Sequence, residues 1–174
     1  HDSTLLSMAT GCGKTIVFAH AADEFMPLGR VMVLAHREEL IGQAWRKLKA
    51  ITGCEPDTEM SEYRANTYGA FRSKIIVGTI QTQIAGHGGK GRMAKFKPDE
   101  FSLLIIDEAH HSAAKSYRRV IDYYRQNPSL KVLGVTATPA GARPTSIVVT
   151  TLFVVVSITV TLLEKLGYTP WFVM

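Results

Sequence analysis

The stretch Met8-Ala9-Thr10-Gly11-Cys12-Gly13-Lys14-Thr15 lies between a short apolar run and a helix-like segment that begins at Lys14. Strand, glycine-rich turn and helix follow in the order that lets backbone N–H groups converge on an anion. Lys14 can reach terminal phosphates and the Thr15 hydroxyl can bind Mg²⁺. The stretch therefore predicts a nucleotide-phosphate site. The alternative is a turn that only caps a helix, because Met8 stands where the general pattern has its first glycine.

A second stretch, Leu103-Leu104-Ile105-Ile106-Asp107-Glu108-Ala109-His110, is an uninterrupted apolar run that ends in two acids. Four consecutive apolar residues predict a central parallel strand buried on both faces. Its carboxyl end is where open α/β sheets bind ligands. One acid can hold the hydrated Mg²⁺ and the next can polarise an attacking water. The alternative is an acidic helix start that favours the helix dipole.

Five polar motifs each follow directly on a short apolar, β-branched run, and helix-length segments separate them. This alternation predicts a parallel sheet with all five motifs on one edge. Helical spacing predicts crossover helices at residues 14–25, 38–51 and 116–126. Trp45, at that spacing, is predicted to pack in the core. The five apolar runs are residues 5–8, 31–34, 74–77, 103–106 and 131–135.

Residues 10–15 together with Asp107-Glu108-Ala109-His110 resemble the first motor lobe of a superfamily-two helicase of the DEAH-box type. The closest likeness is to the branch that includes the ATP-dependent subunits of type III restriction enzymes. Further matches follow in order at residues 33–40, 78–82 and 135–139. The resemblance implies an α/β fold, namely a RecA-like P-loop NTPase three-layer sandwich with a mainly parallel central sheet, over residues 1–139.

The resemblance also implies an ATPase that uses Mg²⁺ and acts as a helicase or translocase. Thr15 and Asp107 would position the metal, and Glu108 would activate water as a catalytic residue together with Lys14 and His110. A metal site formed by His110, His111 and Asp107 is a rival that lacks the i, i+4 histidine spacing of a helix-borne zinc site. The phosphate-binding residues would be Thr10, Gly11, Cys12, Gly13, Lys14 and Thr15.

Contacts with the nucleic-acid backbone are implied for two motifs, and DNA is favoured over RNA because restriction-type relatives act on DNA. Arg37 could instead be an exposed charge in the first turn of a helix. Thr136 and Thr138, with His110, would couple the phosphate site to the strand path. The implied strand contacts are His36, Arg37, Gly78, Thr79, Gln81 and Thr82.

Composition fits one domain of 174 residues with a net charge of +5 and two cysteines, too few for a disulfide framework. Because no secretory signal is visible, we expect a cytoplasmic protein without a membrane partner, and the resemblance suggests a bacterial or phage origin. Residues 87–97 are glycine-rich and basic, which suits either a loop near a polyanion or a solvated loop without a partner.

The tail at residues 140–174 departs from the family pattern. Residues 147–163 carry no charge and are rich in β-branched side chains, which favours closing strands or an altered end over a membrane helix. Nothing after Pro139 resembles the second RecA-like lobe that carries the arginine finger, and only seven residues precede Met8. We therefore expect weak nucleotide binding and poor hydrolysis unless such a lobe is supplied in cis or in trans. The alternative is a non-catalytic module that binds nucleotide or nucleic acid for a partner protein.

Overall fold

A computed structural model describes residues 3–8, 12–69, 72–86 and 91–137, in which strands and helices alternate. The tail at residues 140–174 lies outside the described residues. The strands are β1 (Ser3–Ser7), β2 (Arg30–Ala35), β3 (Asp57–Glu59), β4 (Ile75–Thr79), β5 (Phe101–Asp107) and β6 (Lys131–Thr136). The helices are α1 (Lys14–Phe25), α2 (Glu38–Thr52), α3 (Ile80–Ile84) and α4 (Lys115–Tyr124), with 3₁₀ helices at Arg92–Lys95, Pro98–Glu100 and Ala109–Ala113.

The six strands form one sheet in the order β1-β6-β5-β2-β4-β3. Every neighbouring pair is parallel. Parallel neighbours need crossover connections, and the helices and loops between the strands supply them. The mainly parallel α/β sheet predicted from the alternating pattern is thus confirmed.

Helices cover both faces of the sheet, because the central strands are apolar on both sides. Val31 and Val33 of β2 belong to a core shared with α1 and α2. Met32 and Leu34, which alternate with them along the same strand, belong to a second core with Tyr124 of α4. The result is a three-layer sandwich with the sheet in the middle, which is the architecture that the family resemblance implies.

The carboxyl ends of the strands meet at one edge of the sheet. The register places Ser7 of β1 beside Thr136 of β6, and Asp107 of β5 beside Val135 of β6. The N–H of Met8 then continues the ladder by donating to the carbonyl of Thr136 at 3.0 Å. The ends of β1 and β5, which are about 100 residues apart in sequence, therefore lie at the same edge of the sheet, with β6 between them.

The element boundaries agree closely with the predicted ones. Helix α1 spans the predicted residues 14–25, α2 ends one residue later than predicted, and α4 spans 115–124 rather than 116–126. Strand β3 was not predicted, since its three residues have no apolar run and it depends on pairing with β4. Trp45, which was predicted to pack in the core, is instead half-buried at the surface of α2 and donates its indole N–H to the carbonyl of Pro56 at 2.7 Å.

Candidate nucleotide site and strand groove

The predicted phosphate loop passes directly into α1. Gly13 has φ 85° and ψ 22°, a left-handed conformation that suits glycine, and the helix begins at Lys14. The Lys14 ammonium donates to the carbonyl of Met8 at 3.2 Å, across the loop. Thr15 lies in the first turn of α1, whose N-terminus favours an anion. Thr10 and Gly11 lie outside the described residues, and Cys12 is exposed.

The acid pair lies where β5 ends. Asp107 is the last residue of the strand, and its Oδ1 accepts a hydrogen bond from the N–H of Glu108 at 3.0 Å. Glu108 has φ 53° and ψ 47°, a left-handed conformation that non-glycine residues rarely adopt and that is common at functional sites. The chain therefore turns sharply at Glu108 on leaving the strand.

The pKa of Asp107 depends on its burial and on the neighbouring groups Glu108 and Lys14. Burial raises the pKa of Asp107 above its ordinary value, and the charge of Glu108 raises it further. The hydrogen bond from the N–H of Glu108 and the positive charge of Lys14 oppose that rise in pKa. Lys14 and Asp107 thus lie near enough at this edge to interact electrostatically.

His110 connects the acid pair to β6. Its Nδ1 lies 3.0 Å from the Thr136 hydroxyl and 3.2 Å from Oε2 of Glu108. The predicted coupling residues His110 and Thr136 are therefore in contact, while Thr138 lies outside the described residues. Within the described ranges, no group of three or more His, Cys, Asp or Glu side chains is arranged to hold a metal ion, so the rival site with His111 gains no support.

A groove of about 700 Å³ opens at the same edge, beside the ends of β2 and β4. Five of the six residues predicted to touch a strand backbone line it. Ser61 and Ala85 also line the groove, although the sequence analysis did not single them out. Glu38 and Glu39, at the start of α2, add negative charge to the groove. The lining side chains are His36, Arg37, Glu38, Glu39, Ser61, Thr79, Gln81, Thr82, Ala85 and Arg92.

The two threonines in the groove are tied to each other. Thr79 caps α3 by accepting from the N–H of Thr82 at 3.1 Å, and its hydroxyl donates to that of Thr82 at 2.8 Å. Both side chains are buried, whereas Gln81 is exposed. Gly78 lies within buried β4 and does not line the groove. A Cβ at Gly78 would lie 2.7 Å from the carbonyl of Glu59, so the glycine lets β3 approach.

Arg92 is the lining residue that the sequence left ambiguous, because it belongs to the basic stretch at residues 87–97. Its guanidinium is held by the buried carboxylate of Glu59, with Nε 2.7 Å from Oε1. It also donates to the carbonyls of Ser61 at 2.9 Å and Tyr63 at 2.7 Å. Lys95 pairs with the same carboxylate. Arg92 and Lys95 therefore stabilise the turn after β3. Residues 87–90 of the basic stretch lie outside the described part of the chain.

None of the helices in the described ranges is both long and apolar enough to span a membrane. This finding covers only those ranges and leaves the apolar tail aside.

Several relatives of this chain are named as ATP-dependent helicases. The chain is 32% identical over 145 residues to IRC3 of Saccharomyces cerevisiae, which is named as an ATP-dependent helicase. This alignment covers 76% of this chain and 20% of that protein. It is 30% identical over 149 residues to the ATP-dependent DNA helicase MPH1 of Debaryomyces hansenii, covering 80% of this chain and 13% of that protein. The chain therefore spans a fifth or less of the length of these relatives.

A solved structure supports the fold. The helicase domain of Hef from Pyrococcus furiosus superposes with a TM-score of 0.67 at 24% identity, covering 91% of this chain and 33% of that one. The family described as "Type III restriction enzyme, res subunit" matches residues 1–141. The chain therefore belongs to this family, and its parallel sheet has the fold of the N-terminal lobe of superfamily-two helicases.

Proposed function

We propose that residues 1–139 form the ATP-binding and ATP-hydrolysing lobe of a nucleic-acid helicase or translocase, which acts together with a second RecA-like lobe. The observation that carries the proposal is that the Lys14 ammonium, bonded to the Met8 carbonyl, and the Asp107 carboxylate both lie at the carboxyl edge of the sheet, on either side of β6. A lysine after a glycine-rich turn and a carboxylate after a buried strand are the groups that a magnesium-bound polyphosphate requires.

The donor set fits Mg²⁺. Mg²⁺ prefers oxygen ligands and is usually held by one or two protein oxygens, with phosphates and waters filling its other positions. The Thr15 hydroxyl and the Asp107 carboxylate would supply those oxygens. When bound, the ion would neutralise charge on the phosphates. Burial raises the pKa of Asp107 because the ionised carboxylate is poorly hydrated there, so a cation bound beside it would stabilise the ionised form.

Each of the remaining site residues has a role in this proposal. Lys14 would exchange its contact with the Met8 carbonyl for a terminal phosphate oxygen. Glu108 would orient and activate the water, and His110, in contact with both Glu108 and Thr136, would hold that carboxylate in place. Catalysis would come from positioning and charge neutralisation rather than from covalent chemistry.

The groove would bind the backbone of a nucleic-acid strand. Arg37 can contact a phosphate with two parallel hydrogen bonds, and the exposed Gln81 can donate to phosphate or sugar oxygens. The buried threonines would instead shape the end of β4 and the start of α3. We favour DNA as the strand because restriction-type relatives act on DNA; of two relatives that are each 30% identical, MPH1 is named a DNA helicase and the other, from Methanocaldococcus jannaschii, an RNA helicase. Such contacts carry no sequence information.

Nucleotide binding tests the proposal first. A fluorescent ATP analogue should bind in the presence of Mg²⁺, and Lys14→Ala should abolish binding. Lys47→Ala is the matched control, because Lys47 is exposed on α2. Equal affinity of the Lys14→Ala variant and the unchanged chain would refute the phosphate site.

Turnover tests the acid pair. Glu108→Gln should keep nucleotide binding and lower ATP turnover by about 10²–10⁴-fold, the usual contribution of a positioned general base. Glu24→Gln, exposed on α1, should leave turnover unchanged. Turnover should be measured with and without single-stranded DNA, and with a second lobe supplied. Nucleotide binding without turnover under all of these conditions would favour the non-catalytic module.

Strand binding tests the groove. The affinity for a single-stranded oligonucleotide should fall as salt rises, and Arg37→Ala should reduce the slope of log affinity against log salt by about 0.7, the value for one phosphate contact. Arg46→Ala, an exposed arginine on α2, should leave the slope unchanged. Parallel titrations with DNA and RNA oligonucleotides of one sequence decide the preferred strand. An unchanged slope in the Arg37→Ala variant would remove Arg37 from the strand path.

A further inference from the structure

Three histidine rings stack between the groove and the acid pair. The rings of His36 and His111 have centroids 4.5 Å apart and planes inclined by 24°. The rings of His111 and His110 have centroids 4.0 Å apart and planes inclined by 41°. His36 follows β2, whereas the other two lie in the 3₁₀ helix after β5. The stack therefore joins two elements that are more than 70 residues apart in sequence.

Each end of the stack is anchored by polar contacts. At one end His110 contacts Glu108 and Thr136, as described above. At the other end, Nδ1 of His36 lies 3.0 Å from the hydroxyl of Tyr117. Burial raises the pKa of Tyr117 to about 12, with the charges of Asp107 and Glu108 adding to the rise. Tyr117 therefore keeps its proton at neutral pH and can donate it to His36.

The middle ring contributes little to the core. His111 is exposed, so its stacking contacts bury little surface on folding. Loss of hydration beside its neighbours lowers the pKa of His111, the groups His110, His36 and Arg37 lower it further, and the charge of Glu108 opposes this shift. A neutral ring at neutral pH stacks without charge repulsion. The ring of His111 thus contacts both neighbouring rings without adding a large buried surface.

We propose that His111 is a positioning residue that carries displacement between the strand groove and the carboxylate of Glu108. This inference rests on the proposed function. His36 lines the groove, so a bound strand that moves the His36 ring would move His111 and then His110 through the stack. His110 in turn contacts Glu108, and nucleotide at the phosphate site would act along the same path in the reverse direction.

The test measures coupling rather than stability. The affinity for a nonhydrolysable ATP analogue with Mg²⁺ is measured with and without a saturating thymidine oligonucleotide. The ratio of the two affinities, about 5–150 in coupled systems, should fall to roughly 1 in His111→Ala. His111→Phe, which keeps a stacking ring, should restore most of the ratio. His20→Ala, on α1 and outside the stack, is the control.

A spectroscopic readout makes the test local. The chain has six histidines, so the ring signal of His36 can be assigned by its loss in His36→Gln. Adding the ATP analogue with Mg²⁺ should shift this signal in the unchanged chain and in His111→Phe, but not in His111→Ala. A structural role alone would not make the His36 signal depend on a nucleotide that binds at the other end of the stack.

The outcomes separate the two proposals. If the unchanged chain binds neither nucleotide nor oligonucleotide, the proposed function fails and this inference falls with it. If it binds both, three results overturn the inference alone: a ratio of 1 in the unchanged chain, a full ratio in His111→Ala, or a His111→Phe variant that behaves like His111→Ala.

Discussion

Gly134 allows β6 to pack closely against the segment that carries the acid pair. An added Cβ at Gly134 would lie 2.9 Å from the Cβ of Ala109 and 3.0 Å from Cδ1 of Leu5. Carbon atoms in good contact lie about 3.5–4.0 Å apart, so Gly134→Ala must push these neighbours away by roughly 0.5–1 Å. Ala109 follows Glu108 directly and precedes His110. The displacement therefore reaches both residues that would position the attacking water.

We expect Gly134→Ala to have two effects. The free energy of unfolding, measured with urea, should fall by about 1–3 kcal/mol, the usual cost of overpacking a core. ATP turnover should fall by up to about 10²-fold, because a displacement near 1 Å at a catalytic group costs that much. Nucleotide binding should change less than turnover, since Lys14 lies on a different segment.

Gly42→Ala is the matched control. Gly42 is exposed within α2, and an added Cβ would lie 4.0 Å from Nη1 of Arg46, at the end of a flexible side chain. The same substitution should there raise the free energy of unfolding by about 0.5–1 kcal/mol, since alanine favours a helix. If Gly134→Ala proves as stable and as active as the unchanged chain, then packing against β6 does not fix the acid pair.

Three further predictions follow from buried charges. Glu59→Gln should lower the free energy of unfolding by about 3–5 kcal/mol, because its two cationic partners lose their buried carboxylate. Glu55→Gln, whose exposed pair contributes about 1 kcal/mol or less, is the control, and equal urea midpoints for the two variants would contradict the prediction. Arg30→Met should lower the free energy of unfolding by about 3 kcal/mol, because Arg30 is buried and donates to Glu100 and two carbonyls. An unchanged free energy of unfolding in urea would show that these contacts are dispensable. Asp107→Asn should raise the free energy of unfolding of the nucleotide-free chain at pH 7. Burial raises the pKa of Asp107, so ionisation of this carboxyl lowers the free energy of unfolding as pH rises past about 3.9, the ordinary aspartate pKa. This gain in the free energy of unfolding should vanish at lower pH. A gain that urea titrations find to be independent of pH would show that ionisation of Asp107 is not its cause.

The sequence predicted the parts of the fold that depend on local pattern. Buried parallel strands need continuous apolar runs, and such runs located β2, β4, β5 and β6 to within two residues. Because parallel strands share one edge for their carboxyl ends, the same pattern predicted that Lys14 and Asp107 would approach each other. Neither result required knowledge of how individual side chains pack.

The parts that depend on side-chain packing were not predictable. Strand β3 has only three residues, and nothing in its composition marks it as a strand. The pairing of Glu59 with Arg92, and the stacking of His36 on His111, join residues that no periodicity relates. The left-handed conformation of Glu108 likewise depends on the turn that the chain makes after β5. The predicted Thr10, Gly11 and Thr138 lie outside the described residues, so their roles stay predictions.

A crystal structure of this chain with Mg²⁺ and a nonhydrolysable ATP analogue tests the central claim most directly. We expect the phosphates on the loop before α1, the metal about 2.1 Å from the Thr15 hydroxyl oxygen, and Asp107 bound to the metal directly or through one of its waters. Lys14 should have left the carbonyl of Met8 for a phosphate oxygen. A nucleotide bound elsewhere, or a metal that neither Thr15 nor Asp107 approaches, would contradict the account.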